Sequence, residues 1–176
     1  LQLKNSKKRN EQQKYIIFTL AGKQFGVNIK QTREILSCKE LTLVPESPEY
    51  IAGLIDLRGM VVPVIDLQLR LNIKKEETSQ NNNKEASQDK NRIIIIVELE
   101  NLTAGMMVEE VKQIKELNGE EIENLPSLAQ KIDREYIAGV GRTEEEELLM
   151  ILDLESVLTR EEMNQIQELE DNVVNE

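Results

Sequence analysis

Arg58 is a cation that its neighbours place on a turn. It sits in Leu57-Arg58-Gly59, between the apolar runs Ile51 to Leu57 and Met60 to Ile65, and a glycine able to take positive φ makes that dipeptide a tight hairpin turn. The turn exposes Arg58. The acidic side chains point elsewhere. Asp66 and Asp153 end two runs of one form, Val62-Pro63-Val64-Ile65-Asp66-Leu67 and Leu149-Met150-Ile151-Leu152-Asp153-Leu154. Recurrence in register predicts a structural task, capping the turn that follows, rather than acid-base catalysis. Glu144 to Glu147 reads as a solvated turn. Cys38 is the single cysteine, so it forms no internal disulfide and belongs to no multi-cysteine metal site. With only Lys39 beside it, it reads as an ordinary strand residue. Histidine is absent, which removes the Ser-His-Asp and Cys-His catalytic sets and histidine metal ligands. No Gly-x-x-x-x-Gly-Lys phosphate loop occurs, and Gly139-Val140-Gly141 lacks the third glycine and the context of a dinucleotide site. The expectation is a chain with no catalytic residues, no metal and no cofactor.

The elements that must carry Arg58 are arranged as a repeat. Tyr50-Ile51-Ala52-Gly53 recurs as Tyr136-Ile137-Ala138-Gly139, 86 residues later, and each copy leads through a turn to an apolar strand ending in Asp-Leu. Phe25-Gly26-Val27 corresponds to Ala104-Gly105-Met106, and Pro45 to Pro126, in the same order. Ordered landmarks at nearly constant offset predict a duplicated unit. Each unit reads as β: Tyr15 to Leu20 and Gln24 to Ile29 form a hairpin about Ala21-Gly22-Lys23, and Arg92 to Leu99, with its run of isoleucines, reads as a central strand returned by Gly105 to Val108. Pro63 inside a strong strand predicts an edge or a bulge, since proline has no amide proton for a ladder. Thr159 with Glu162 forms a capping box, flanked by Leu158 and Met163 as a staple, and Met163, Ile166 and Leu169 give the ensuing helix an apolar stripe. The fold class expected is all-β: two SH3-like five-stranded barrels from a duplicated unit, plus a C-terminal α-helix. The chain then divides into a disordered tail at 1–14, a first barrel at 15–73, a flexible polar linker at 74–91, a second barrel at 92–158 and a helix and tail at 159–176. The linker contains no apolar residue larger than alanine and cannot offset the entropy of being ordered.

Charge narrows the partners. Of 176 residues, 22 are basic and 33 acidic, a net of −11. Residues 1–75 carry 13 basic and 7 acidic side chains, residues 92–176 carry 7 and 22. So acidic a body, with five aromatic residues in all, disfavours nucleic acid. No apolar run approaches the ~18 residues of a spanning helix, and no signal-peptide core precedes the first strand, so the chain reads as cytoplasmic.

The ordered residues also resemble a known family. Phe18-Thr19-Leu20, Phe25-Gly26-Val27, Glu34-Ile35, Pro45, Gly53, Leu57-Arg58-Gly59 and Pro63-Val64-Ile65-Asp66-Leu67, continued through Gly105-Met106-Met107-Val108, Val111, Pro126, Tyr136-Ile137-Ala138-Gly139 and Leu152-Asp153, are similar to the chemotaxis coupling protein CheW over about residues 15 to 158. The resemblance implies a non-catalytic scaffold of two SH3-like barrels joining chemoreceptor cytoplasmic tips to the regulatory domain of the histidine kinase CheA, recruited to membrane-associated receptor arrays without inserting in the membrane. It implies a receptor-binding role for Arg58 and Gly59, for Glu34 and Ile35, and for the family glycines Gly53 and Gly105, and a kinase-binding role for Leu125, Pro126 and Leu128. The sequence departs from the family pattern at Asp56, whose negative charge two residues from Arg58 is expected to hold it, and at Glu109. Within the resemblance, a CheW-like scaffold of a related non-flagellar signalling pathway stays open as an alternative, and on residues alone a carboxylate-dependent enzyme.

Overall fold

The computed structural model describes residues 11–38, 40–74, 91–125 and 134–174. Among these residues ten strands run in the order β1 (Gln13–Leu20), β2 (Lys23–Asn28), β3 (Thr32–Ser37), β4 (Ile51–Leu57), β5 (Met60–Asp66), β6 (Ile93–Leu99), β7 (Leu102–Val108), β8 (Glu110–Leu117), β9 (Ile137–Arg142) and β10 (Leu148–Leu152). Helices α1 (Leu67–Arg70), α2 (Leu154–Val157) and α3 (Arg160–Val174) follow β5, β10 and α2, and 3-10 turns at Ile29–Gln31 and Arg134–Tyr136 precede β3 and β9. The disorder expected over 1–14 does not hold for Gln13 and Lys14, which pair with Leu117 and Glu116; residues 1–10 lie outside the described residues. Most of the expected linker lies outside the described residues.

The strands form two five-stranded sheets, β8-β1-β2-β10-β9 and β3-β6-β7-β5-β4. Replacing each strand of one order by its counterpart five places along the chain gives the other order, so the duplication is visible in the fold. The register agrees to the residue: Ile151 pairs with Gly26 in one sheet as Val64 pairs with Gly105 in the other. Ile51 and Ile137 begin the equivalent strands β4 and β9. The boundary between barrels does not fall where the sequence placed it. Each sheet takes its central hairpin from one repeat and its other three strands from the other, and residues 75–90 connect two elements of the same sheet. One barrel (β3–β7, barrel B) is continuous over 32–108, and the other (β1, β2 and β8–β10, barrel A) is assembled from the chain on either side of it. The chain crosses between them at Ile29–Gln31 and at Glu109, whose amide donates to the Thr19 carbonyl and whose carboxylate accepts from the Ala21 amide at 2.7 Å.

Each sheet is rolled shut by the segment that follows its first edge strand. Thr42, beyond β3, bridges Leu54 of β4, and Glu123, beyond β8, bridges Val140 of β9. Both edge strands β3 and β8 escaped the sequence reading, since Thr-Arg-Glu-Ile-Leu-Ser and Glu-Val-Lys-Gln-Ile-Lys-Glu-Leu are mostly polar and bury little. Pro63 corrects a further expectation. It lies in β5, an inner strand, opposite Leu54. Leu54 gives both its amide and its carbonyl to Thr42, and the β5–β7 ladder starts only at Val64, so nothing calls on the missing proton.

Alternation along the central strands fills three cores. Ile94 and Ile96 point into barrel B with Val62 and Val64, Tyr15 and Ile17 point into barrel A with Leu149 and Ile151, and Ile95, Val97, Ile16 and Phe18 meet between the barrels. The middle core is the largest. Leu67, Leu154, Met163 and Ile166 cap it, which seats α3 on both barrels. The capping box forms reciprocally: the Thr159 amide donates to Glu162 at 2.8 Å and the Glu162 amide to Thr159 Oγ1 at 3.1 Å. On the same helical face as Met163 and Ile166, Glu170 is half-buried. Burial first, and the neighbouring Asp171 carboxylate second, push its carboxyl up to about 7. A carboxyl raised on folding stabilises the protonated native state fully below about 4.5, and this contribution is lost as pH rises through about 7. Glu170→Gln should therefore reduce the drop in melting temperature between pH 5.5 and pH 8.5, by an amount worth roughly 1 kcal/mol after solvent screening. An identical pH dependence in the variant would show that the carboxyl is not perturbed.

Candidate functional site

The hairpin between β4 and β5 has a two-residue turn, Arg58-Gly59, closed by the pair Leu57 and Met60. Both turn residues have positive φ, +53° and +84°, the signature of a type I′ turn, whose twist matches the flanking strands. The Asp56 carboxylate accepts from the Gly59 amide at 2.7 Å and so braces the turn. It does not hold Arg58, as its sequence position suggested. Arg58 instead reaches across the seam of barrel B to Glu34 on β3, with Nη2 2.9 Å from Oε2. Glu34 is the less exposed partner, at 24 % against 78 % for Arg58, so the carboxylate acts as an anchor and leaves most of the guanidinium in water.

This ion pair brings together two of the residues singled out in the sequence, and two more are their neighbours in the chain. Glu34 and Arg58 touch, Gly59 shares the turn, and Ile35 follows Glu34 with its side chain 41 % exposed. Gly53 and Gly105 are placed differently. Both are buried. A Cβ on Gly53, where φ is +151°, would stand 2.8 Å from the Thr42 carbonyl oxygen, and one on Gly105 would stand 2.7 Å from Ile94 Cγ2 inside barrel B. Their geometry serves the closing seam and the core, and neither offers a surface. Leu125 lies in the other barrel, half-buried just past the Glu123 bridge; Pro126 and Leu128 lie outside the described residues. Lys115 of barrel A donates to the Arg142 carbonyl at 3.0 Å, so the seam of that barrel is also spanned by a cation, though by a different pairing.

The sequence reading passed over two exposed apolar side chains of barrel B, Met60 at 41 % and Leu43 at 78 %. Met60 could have been flagged by its place directly after Leu-Arg-Gly; nothing in the sequence around Leu43 marks it as outward. Cys38 is half-buried, and its amide donates to the Arg92 carbonyl at 2.8 Å. Among the described residues no group of three or more cysteine, aspartate or glutamate side chains could hold a metal ion, and no helix is long and apolar enough to cross a membrane.

A family model described as the CheW-like domain matches residues 14–162, which takes in both barrels and the start of α3. The chain belongs to the CheW family. Chemotaxis protein CheW of Bacillus subtilis is 34 % identical over 149 residues, 85 % of this chain and 88 % of that protein. Chemotaxis protein CheW of Klebsiella aerogenes is 30 % identical over 151 residues, 86 % of this chain and 84 % of that one. The crystal structure of the scaffolding protein TtCheW from Thermoanaerobacter tengcongensis superposes with a TM-score of 0.72 at 30 % identity, covering 85 % of this chain and 89 % of the other. With the fold and the family agreeing, this CheW-family chain is a coupling adaptor of chemotaxis signalling.

Proposed function

We propose that the chain joins two kinds of partner through its two barrels: chemoreceptor cytoplasmic tips at the Glu34–Arg58 seam of barrel B, and the regulatory domain of the kinase CheA at the segment entered through Leu125 on barrel A. The observation that carries the receptor side is the posture of Arg58, exposed yet held on a rigid turn by a half-buried carboxylate. An arginine whose orientation is set beforehand loses little freedom on binding, so more of its contact energy appears as affinity. Ile35 beside it supplies an apolar contact of the kind found at interface centres. The role needs no turnover, in keeping with a sequence that lacks histidine, and binding to receptor tips brings the protein to the receptor arrays at the membrane.

Arg58→Ala tests this reading. The ion pair it removes is largely in water, so the urea midpoint should correspond to a loss of no more than about 1 kcal/mol. Affinity for a receptor hairpin fragment should fall about 30-fold, near 2 kcal/mol, as for a central interface arginine. Affinity for the CheA regulatory domain should stay within about twofold, because that surface lies on the other barrel. Equal loss of both affinities with a lowered midpoint would make Arg58 a structural residue, and undiminished receptor affinity would remove it from the surface.

A further inference from the structure

Neither surface uses Arg70, a cation with several partners. It ends α1, with its side chain 15 % exposed. Its guanidinium carbon lies 5.0 Å from the centre of the Tyr50 ring and 5.3 Å from that of Tyr136. Nε donates to the Val157 carbonyl at 2.7 Å, and Nη2 donates to the Glu162 carboxylate at 2.9 Å. These partners are related. Tyr50 and Tyr136 open the two copies of Tyr-Ile-Ala-Gly, and Arg70 and Val157 each stand four residues after a capping aspartate. Arg70 is therefore bonded to its own counterpart and sits between two copies of one tyrosine. A point where equivalent groups of both repeats converge lies on their pseudo-two-fold axis; one repeat places an arginine there and the other carries valine. Burial, then the Glu162 charge, raises the Tyr50 hydroxyl above its ordinary value against the opposing pull of Arg70, so the ring presents a neutral phenol.

Each tyrosine governs the entry to an equivalent strand. The Tyr50 carbonyl accepts from the Asp66 amide at 2.8 Å and leads into β4, where Leu54 meets Thr42; the Tyr136 carbonyl accepts from the Asp153 amide at 2.9 Å and leads into β9, where Val140 meets Glu123. We propose that Arg70 is a positioning residue shared by the two barrels, one cation that clamps the chain entering β4 and the chain entering β9 and thereby sets both closing bridges at once. Cation–ring attraction is strongest when the cation is desolvated, as here, and Glu162 supplies the counter-charge. The consequence for coupling rests on the adaptor reading: the receptor seam and the kinase segment share one support. The clamp itself does not depend on that reading.

Hydrogen exchange of the full chain tests it, because the Thr42, Leu54, Glu123 and Val140 amides all donate in the closing bridges. Arg70→Met should speed exchange at both pairs together, by about tenfold, while amides of β6 such as that of Ile95 keep their protection. Tyr50→Leu should speed only the Thr42–Leu54 pair and Tyr136→Leu only the Glu123–Val140 pair. Arg70→Lys, which keeps the charge but not the forked donors, should fall between wild type and Arg70→Met. An Arg70→Met effect confined to one pair, or an equal acceleration reaching β6, would overturn the proposal. In parallel titrations Arg70→Met should weaken binding of both the receptor fragment and the CheA regulatory domain. Wild-type protein that bound neither would defeat the adaptor reading and leave the exchange result to judge the clamp.

Discussion

Gly53→Ala is expected to cost about 3 kcal/mol of stability, a large loss for a single methyl group. Two effects add. The backbone at Gly53 has φ +151°, a region that side chains with a Cβ rarely enter, and the new carbon would lie 2.8 Å from the Thr42 carbonyl oxygen and 3.0 Å from Leu41 Cβ. Neither neighbour is the end of a flexible side chain, so relief requires the closing segment to move and the Thr42–Leu54 bridge to lengthen. Gly59→Ala provides the comparison: φ is +84°, but nothing lies within 4 Å of the added carbon, and the cost should be about 1 kcal/mol, from conformation alone. Urea midpoints of the two variants measure the difference. If Gly53→Ala were no more damaging than Gly59→Ala, the close approach that shuts barrel B would not matter to its stability.

The second large effect is expected at Asp66. This carboxylate is 7 % exposed. One oxygen accepts from the Leu69 amide at 3.2 Å as the N-cap of α1, and the other pairs with Arg92 at 2.8 Å. Asp153 performs the capping half of this task in the other repeat, accepting from the Glu155 amide and from Ser156 Oγ. Asp153→Ala should therefore cost about 1 kcal/mol, the usual worth of a cap, whereas Asp66→Ala should cost about 3 kcal/mol because it also removes a charge-assisted hydrogen bond to a mostly buried guanidinium. Asp66→Asn keeps a cap and removes the charge, and should fall between them. Equal costs at the two positions, read from chemical denaturation, would mean that the Arg92 pair contributes nothing.

The contrast between these aspartates shows what sequence can and cannot carry. Both caps were legible, since Asp-Leu ends two strands of matching form and an aspartate before a helical turn has a physical reason to be there. The hairpin at Arg58-Gly59, the capping box at Thr159 and the duplication itself were legible for similar reasons: each is encoded within a few adjacent residues. The exchange of strands between barrels was not. A repeat specifies which strands are equivalent, but any ladder that β1 could form with β3 of its own copy it can form equally with β8 of the other, and local pattern does not choose. Arg70 was illegible because its meaning lies in a symmetry axis. In the sequence it is one basic residue between Leu69 and Leu71, and the absence of an arginine at Val157 looks like ordinary divergence. The Glu34–Arg58 pair required knowing that the sheet closes, since β3 and β4 are its opposite edges. Gly53 and Gly105 were noticed as family glycines, but only the neighbouring atoms reveal that they serve closure and core.

The strand exchange also sets an order of events at the ribosome. Barrel B is a continuous stretch, so each of its strands finds its neighbours as soon as residue 108 has emerged. The β1–β2 hairpin, although made earlier, has no sheet to join until β8 and β10 arrive, and meanwhile its face with Tyr15 and Ile17, buried in the finished protein, lacks Leu117, Leu149 and Ile151. A nascent hairpin with one bare face is the kind of species that chaperones shield and that pairs wrongly with its neighbours. The finished barrel B, whose Ile95, Val97 and Met106 line the middle core, offers that hairpin a surface on which to wait, so the first-built half acts as an internal template for the second.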